Sequence, residues 1–214
     1  PGHIDDGARK VNTRIAKMMI PAAAVLLLAS TATQAYEQGD WIVRAGAGNV
    51  DPKSNNGEIA SVDAGASLIV SGEYMFSDNL GFEVLAAWPF SHDIKLAADG
   101  TKVAETKQLP PTFSLKYHFA TGSAFNPYIG AGLNYTNFFD EKTVGPLEGT
   151  SLKLDDSFGV AAQIGFDYAI SDTTMINLDL RWMNIETDAS LDGVFLETVK
   201  IDPIVYGITF GWTF

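Results

Sequence analysis

Hydrophobic and polar positions alternate with a period of two along much of this chain, and residues 108–119 follow the rule most strictly. Their odd positions are Leu109, Pro111, Phe113, Leu115, Tyr117 and Phe119, and their even positions are Gln108, Pro110, Thr112, Ser114, Lys116 and His118. Such alternation puts the two sets on opposite faces of a strand. The pattern recurs near residues 40–49, 67–76, 80–90, 125–139, 156–170, 174–185 and 199–214. Short connections at 77–79, 120–124 and 171–173 alternate with long polar ones at 51–65, 91–107, 140–155 and 186–198, which read as loops. Eight antiparallel strands are predicted.

One face of these strands is apolar and tipped with aromatic residues, including Trp41, Tyr74, Trp88, Tyr117, Trp182 and Trp212. The other face carries Arg44, Glu73, Glu83, Lys116, Asp167, Asp179 and Arg181. A water-soluble barrel would need the reverse, because apolar surface on this scale is not left exposed to water. Lipid requires a closed, hydrogen-bonded wall that is apolar outside. The expected fold is therefore all-β, an eight-stranded antiparallel transmembrane β-barrel with short periplasmic turns and four longer extracellular loops. An even strand number puts both termini on the periplasmic side.

The longest apolar run, residues 20–29, follows Arg14 and Lys17 and precedes the small-x-small site Thr33-Gln34-Ala35. It reads as the core of a secretory signal peptide cleaved after Ala35, with residues 1–17 upstream of a start at Met18 or Met19. The domain division expected is thus 1–35 for upstream residues plus leader and 36–214 for the barrel. The net charge of −12 argues against nucleic acid as a partner. With no cysteine, thiolate chemistry and disulfides are excluded. The acidic loops lack a calcium-loop pattern, so no metal or cofactor is expected, although such loops could hold divalent cations against lipopolysaccharide.

The seven inward charges would be buried, since an eight-stranded barrel is just wide enough for its own side chains. They are expected to form a salt-bridge network across the lower lumen, or else a polar selectivity layer. Catalysis is not expected. Ser114 and His118 share a face, but residues four apart on a strand lie roughly 13 Å apart, far beyond the ~3 Å of a nucleophile–base hydrogen bond.

The segments Lys107-Gln-Leu-Pro-Pro-Thr112, Asn126-Pro-Tyr-Ile-Gly-Ala-Gly-Leu-Asn-Tyr-Thr136 and Ala86-Ala-Trp-Pro-Phe90 resemble the OmpW family of outer-membrane proteins. So do the entry Gly39-Asp-Trp-Ile-Val-Arg-Ala-Gly46 and the terminal Phe214. The resemblance implies an outer-membrane barrel that passes small hydrophobic molecules and releases them sideways through its wall. It further implies an aromatic assembly signal at Phe214, read by the barrel-assembly machinery, and a monomer surrounded by outer-membrane lipid and lipopolysaccharide. A Leu–Trp lumen constriction in the family falls here on Leu85 and Arg181, an arginine in place of the tryptophan. The alternative is a closed structural or receptor barrel, recognised by phages or bacteriocins without transport.

Pro110 and Pro111 stand within the fourth strand, facing Pro89 near the top of the third. Proline brings no amide donor to a ladder and is confined to edges, ends or bulges. These three prolines are expected to loosen the wall and frame a lateral opening in the outer leaflet, reached from a pocket lined by Leu85, Tyr128 and the extracellular loops. A tight strand entry just above the bilayer would produce the same residues.

Overall fold

The computed structural model describes residues 36–54 and 56–214; the leader expected over residues 1–35 lies outside the described residues. Strands β1 (Trp41–Asp51), β2 (Ala60–Val62), β3 (Gly65–Met75), β4 (Leu80–Ala87), β5 (Phe90–Leu96), β6 (Lys102–Leu109) and β7 (Thr112–His118) come first. They are followed by β8 (Phe125–Thr143), β9 (Leu152–Leu154), β10 (Ser157–Ala169), β11 (Thr174–Met183), β12 (Glu186–Leu191), β13 (Val194–Lys200) and β14 (Ile204–Thr213).

Eight of these close into a ring, β1-β3-β4-β7-β8-β10-β11-β14, each antiparallel to its neighbours, with β14 returning to β1. Every backbone donor of a lipid-facing wall must find an internal acceptor, and closure supplies it. The seam is shut to its last residue. Trp41 N–H donates to the Phe214 carbonyl (3.1 Å) and Phe214 N–H to that of Trp41 (2.9 Å). Leu68, Leu115, Ile129, Phe158, Ile164 and Phe210 are exposed on the outer face, while Arg44, Glu73, Glu83, Lys116, Asp167 and Arg181 are buried inside. The alternation read from the sequence therefore sets the facing of the ring strands.

The long connections are not solvated coil as expected. Residues 91–107 fold as the hairpin β5–β6. β2 pairs with β5, and β6 pairs with an upper β8 that runs on to Thr143, past the expected end at residue 139. Most of 186–198 becomes the hairpin β12–β13, which takes up β9 as a third strand. The last predicted strand is shorter than 199–214, because the chain kinks at Asp202, whose φ of +35° lies in the left-handed region, immediately before Pro203. The Asp202 carboxylate holds the kink by accepting from Asn184 Nδ2 at 3.0 Å and Lys53 Nζ at 2.8 Å.

These hairpins prolong the barrel outward and enclose an apolar core of Phe90, Ile94, Val103, Phe138, Leu154, Ile185 and Val199, continuous with Val50, Ile69, Leu85 and Val205 of the ring. Each large aliphatic or aromatic side chain so buried contributes about 1.5–3 kcal/mol. Polar interleaving explains why they read as loops. In His92-Asp93-Ile94-Lys95-Leu96 the alternation is strict, but its charged set faces water.

Candidate functional site

The inward charges of the lower barrel come together in one connected layer. Arg44 on β1 places Nη1 2.7 Å from Glu73 Oε2 of β3, and its Nε and Nη2 donate to both oxygens of Asp167 on β10 at 3.1 and 2.7 Å. Lys116 on β7 bridges Glu73 (2.9 Å) and Glu83 of β4 (3.2 Å). Arg181 on β11 donates from Nη2 to Glu83 Oε1 at 2.6 Å and from Nε to Asp179 at 3.3 Å. All seven residues singled out in the sequence thus belong to this layer, which spans six strands of the ring. Lys116, at 0% exposure, has no contact with water outside the network.

Further residues complete it. His118 Nε2 lies 2.7 Å from Glu73 Oε1, so this histidine is a hydrogen-bond partner of the network and not half of a Ser–His pair. Tyr36 donates to Asp167 (2.6 Å) and packs edge-on against the His118 ring. Tyr128 donates to Asp179 (2.9 Å), accepts from Asn177 Nδ2 (2.9 Å) and lies under Lys116 Nζ, 3.8 Å from its ring centroid. Tyr128 therefore belongs to the polar layer, not to the pocket in which it was expected beside Leu85. Its bulk is accommodated by Gly165 on the neighbouring strand, where any Cβ would collide with the Tyr128 hydroxyl. Gly81 likewise makes room for the Glu73 carboxylate. The facing of Tyr128 and His118 was readable from the alternation. Tyr36, ahead of the first strand, gave no signal.

Above this layer the lumen loses its charges and gains aliphatic side chains, with Thr112, Asn134 and Thr136 still among them. Leu85, two residues beyond Glu83 on the same face of β4, joins the cluster that includes Ile69, Val50, Met183 and Val205. Leu85 and Arg181, expected to form one constriction, lie on opposite sides of this change: Leu85 in the apolar cluster, Arg181 in the ionic layer. Higher still, the hairpins surround a cavity of about 70 Å³, lined by Ile94, Val103, Phe138, Leu154, Val199 and Ile201 with His92 and Gln108 among them. The His92 Nδ1 lies 2.7 Å from the Asp63 carbonyl. Burial holds the His92 ring below the usual histidine range, although Asp63 and Asp93 pull the other way. Glu197 on β13 ties the roof down by accepting from the backbone N–H groups of Glu58, Ile59 and Ala60.

Between chamber and ionic layer the wall is interrupted. The β4–β7 ladder ends at Leu85↔Thr112, and its continuation, β5–β6, begins at Phe90↔Gln108. Residues 86–89 and 109–111, which include Pro89, Pro110 and Pro111, have no pairing with one another. On their other flanks the strands remain held. Trp88 N–H donates to the Leu68 carbonyl (2.8 Å), and the Tyr135 N–H donates to that of Pro111 (3.1 Å). Asn134 Nδ2 lies 3.2 Å from the carbonyls of both Pro110 and Pro111. On the outer wall beside this break is a depression of about 440 Å³ bordered by Leu68, Ile69, Val70, Ala87 and Trp88. With a rise of about 3.3 Å per residue and a tilt of about 40°, Pro110 stands roughly 20 Å above His118. An outer-membrane barrel carries an apolar band about 25 Å tall, so the break falls in its upper part.

Comparison with known proteins fixes the relationship. The OmpW family model matches residues 37–214. The chain belongs to the OmpW family. It is 42% identical over 218 residues to outer membrane protein W of Vibrio cholerae, covering 92% of this chain and all of that one. The crystal structure of OprG, an outer membrane protein of Pseudomonas aeruginosa, superposes with a TM-score of 0.74 at 38% identity, covering 85% of this chain and 98% of that one. Outer membrane protein AlkL of Ectopseudomonas oleovorans is 26% identical over 95% of this chain and 98% of its own length. As an OmpW-family barrel, this protein resides in the outer membrane. That location assigns its apolar belt to lipid and its hairpin extension to the cell exterior.

Proposed function

We propose that this OmpW-family barrel is a passive conduit for small hydrophobic molecules, which enter the extracellular chamber and leave sideways into the outer leaflet. One observation carries the reading: the wall is unpaired at the height where neither face carries a charge, the outer face being apolar and the inner face lined by Leu85, Thr112 and Asn134. Inside, the change from charge to hydrocarbon occurs between Glu83 and Leu85. Outside, the change from lipid-compatible to charged residues occurs higher, between Leu109 and Lys107 on the neighbouring strand. The β4–β7 ladder is interrupted between these two levels. Non-helical, unpaired backbone at membrane depth is tolerated where it lines a cavity or opening. Pro89, Pro110 and Pro111 frame the exit in this reading.

The ionic layer supports the same route from below. Its side chains fill the lumen, and a solute without hydrogen-bonding groups cannot replace the ion pairs it would have to displace. Sideways release then avoids both the network and the periplasm.

Vesicles containing the protein test this directly. An apolar fluorescent probe should equilibrate into them severalfold faster than into protein-free vesicles, with no accompanying ion conductance. Pro110→Val with Pro111→Val restores amide donors and should slow that uptake severalfold while leaving the β-sheet circular-dichroism signal unchanged. Ion conductance through the parent, or probe uptake no faster than without protein, would favour a water-filled pore or a closed receptor barrel instead.

A further inference from the structure

The extracellular chamber is not uniformly apolar. His92 and Gln108 line it, at 2% and 1% exposure, and neither His92 Nε2 nor either amide atom of Gln108 has a hydrogen-bond partner among the described residues. Buried polar atoms of this kind are nearly always paired, and one left unpaired is costly. The two side chains share one face of the β5–β6 hairpin. His92 lies opposite Thr106, two pairs above the Phe90–Gln108 pair and so on the same face. On its other side Gln108 is opposite Phe138, so its amide is flanked by two buried phenyl rings.

The donor and acceptor pattern is fixed by the surroundings. A carbonyl only accepts, so the contact with Asp63 puts the proton of the neutral ring on His92 Nδ1. Nε2 then offers a lone pair to the chamber. Gln108 offers an N–H donor and a carbonyl acceptor a short distance below, at the first pair above the interrupted wall. An alkane satisfies none of these groups. A quaternary ammonium cannot donate, and an ester cannot donate to His92.

Resting on the conduit reading, we propose that the chamber recognises small neutral amphiphiles whose polar head both donates and accepts hydrogen bonds, as a primary amide or alcohol does. The apolar lining takes the hydrocarbon part, and the head engages His92 and Gln108 before the molecule reaches the exit. A chamber of about 70 Å³ suits a head with a few carbons attached. For scale, water occupies about 30 Å³ in the liquid, and an apolar cavity of about 150 Å³ takes benzene.

Butanamide and the similarly shaped hydrocarbon isohexane serve as probes against the whole protein in lipid nanodiscs. Binding is followed by NMR, including the side-chain amide resonance of Gln108. The parent should bind butanamide on the order of tenfold more tightly than Gln108→Leu does, with a shift of the Gln108 amide on saturation. Isohexane should bind the variant as tightly as the parent or more so. Comparing parent with variant for one probe cancels that probe's partition into lipid. Gln108→Leu removes unpaired polar atoms without adding bulk, so it should fold; thermal unfolding checks this.

Equal butanamide affinities in parent and variant, or an unmoved Gln108 resonance, overturns the proposal. Should isohexane bind the parent and butanamide not, the polar recognition falls and the conduit stands. Should neither bind, both fall together.

Discussion

In β7, Phe113, Leu115 and Tyr117 point outward and Ser114, Lys116 and His118 inward. In β5, on the same wall but nearer the cell exterior, the side chains that face away from the interior are Ser91, Asp93 and Lys95, and those that face it are Phe90, His92 and Ile94. The two regions use one backbone geometry and one period, with the chemistry of the faces exchanged. The lower barrel keeps its ion pairs inside and its hydrocarbon against lipid. The extension keeps its hydrocarbon inside and its ion pairs outside, as in Lys102–Asp93 at 2.9 Å and Lys107–Asp140 at 2.7 Å. The difference teaches where each solvent ends. The two inversions occur at different heights, and the stretch between them, uncharged on both faces, is the one interrupted by Pro89, Pro110 and Pro111.

The sharpest way to separate the regions is to make one chemical change in each. Lys116→Met leaves Glu73 and Glu83 short of a buried cation, and should cost about 3 kcal/mol of stability in urea titrations of the detergent-solubilised protein. Lys95→Met removes the Asp63 partner from a pair that water reaches, and should cost well under 1 kcal/mol. Equal costs would mean that the inner layer is hydrated and is not a sealed network.

A second change reverses the test. Ile94→Asp inserts a carboxylate among Val103, Phe138 and Leu154, and should destabilise the extension by about 2 kcal/mol. Hydrogen exchange should locate the loss in β5 and β6 and leave β10, β11 and β14 protected. If the ring strands lose protection equally, extension and barrel unfold as one unit.

The same contrast explains what the sequence disclosed. Ring strands were legible because Leu109-to-Phe119 and its counterparts set aromatic residues against polar ones without interruption, and because charges such as Glu83 and Arg181 fell on one face only. The hairpins were obscured for a physical reason. A short strand in water with charges outside, such as Lys102-Val103-Ala104-Glu105, has the composition of a solvated loop, and its apolar positions become a core only when β2, β8 and the β9–β12–β13 sheet close around them. Pairing partners were likewise hidden. The alternation marks Glu73 as inward, but not that Arg44 from one strand and Lys116 and His118 from another converge on it. The prolines could be read as wall-breakers, while the height of the break required the register of β4 against β7 and of β5 against β6.

Phe214 probes the membrane end of the contrast. Its ring is 76% exposed, so Phe214→Ala removes an aromatic from the lipid interface while the backbone bonds with Trp41 can remain. The expected outcome is a severalfold lower yield of inserted barrel, with unfolding of the inserted fraction changed by less than about 1 kcal/mol. A normal yield would remove Phe214 as an assembly signal and leave it as one residue of the aromatic girdle.

The smallest expected effect is a pH dependence confined to the extension. His92 is buried against the chamber, and desolvation lowers its pKa from the ordinary 6.5. The unfolded extension therefore binds a proton more readily than the folded one. By linkage, the contribution of neutral His92 is fully present above about pH 6.5 and is lost as the pH falls below that value toward the lowered folded pKa. Asp63 and Asp93 beside the ring oppose this shift without overcoming it. Protection factors for β5 and β6 amides, corrected for intrinsic exchange, should decline through that window. In His92→Gln, which carries no titrating group, they should stay level. A decline of the same size in the variant would place the sensitivity in the surrounding carboxylates and leave the histidine a passive lining of the chamber.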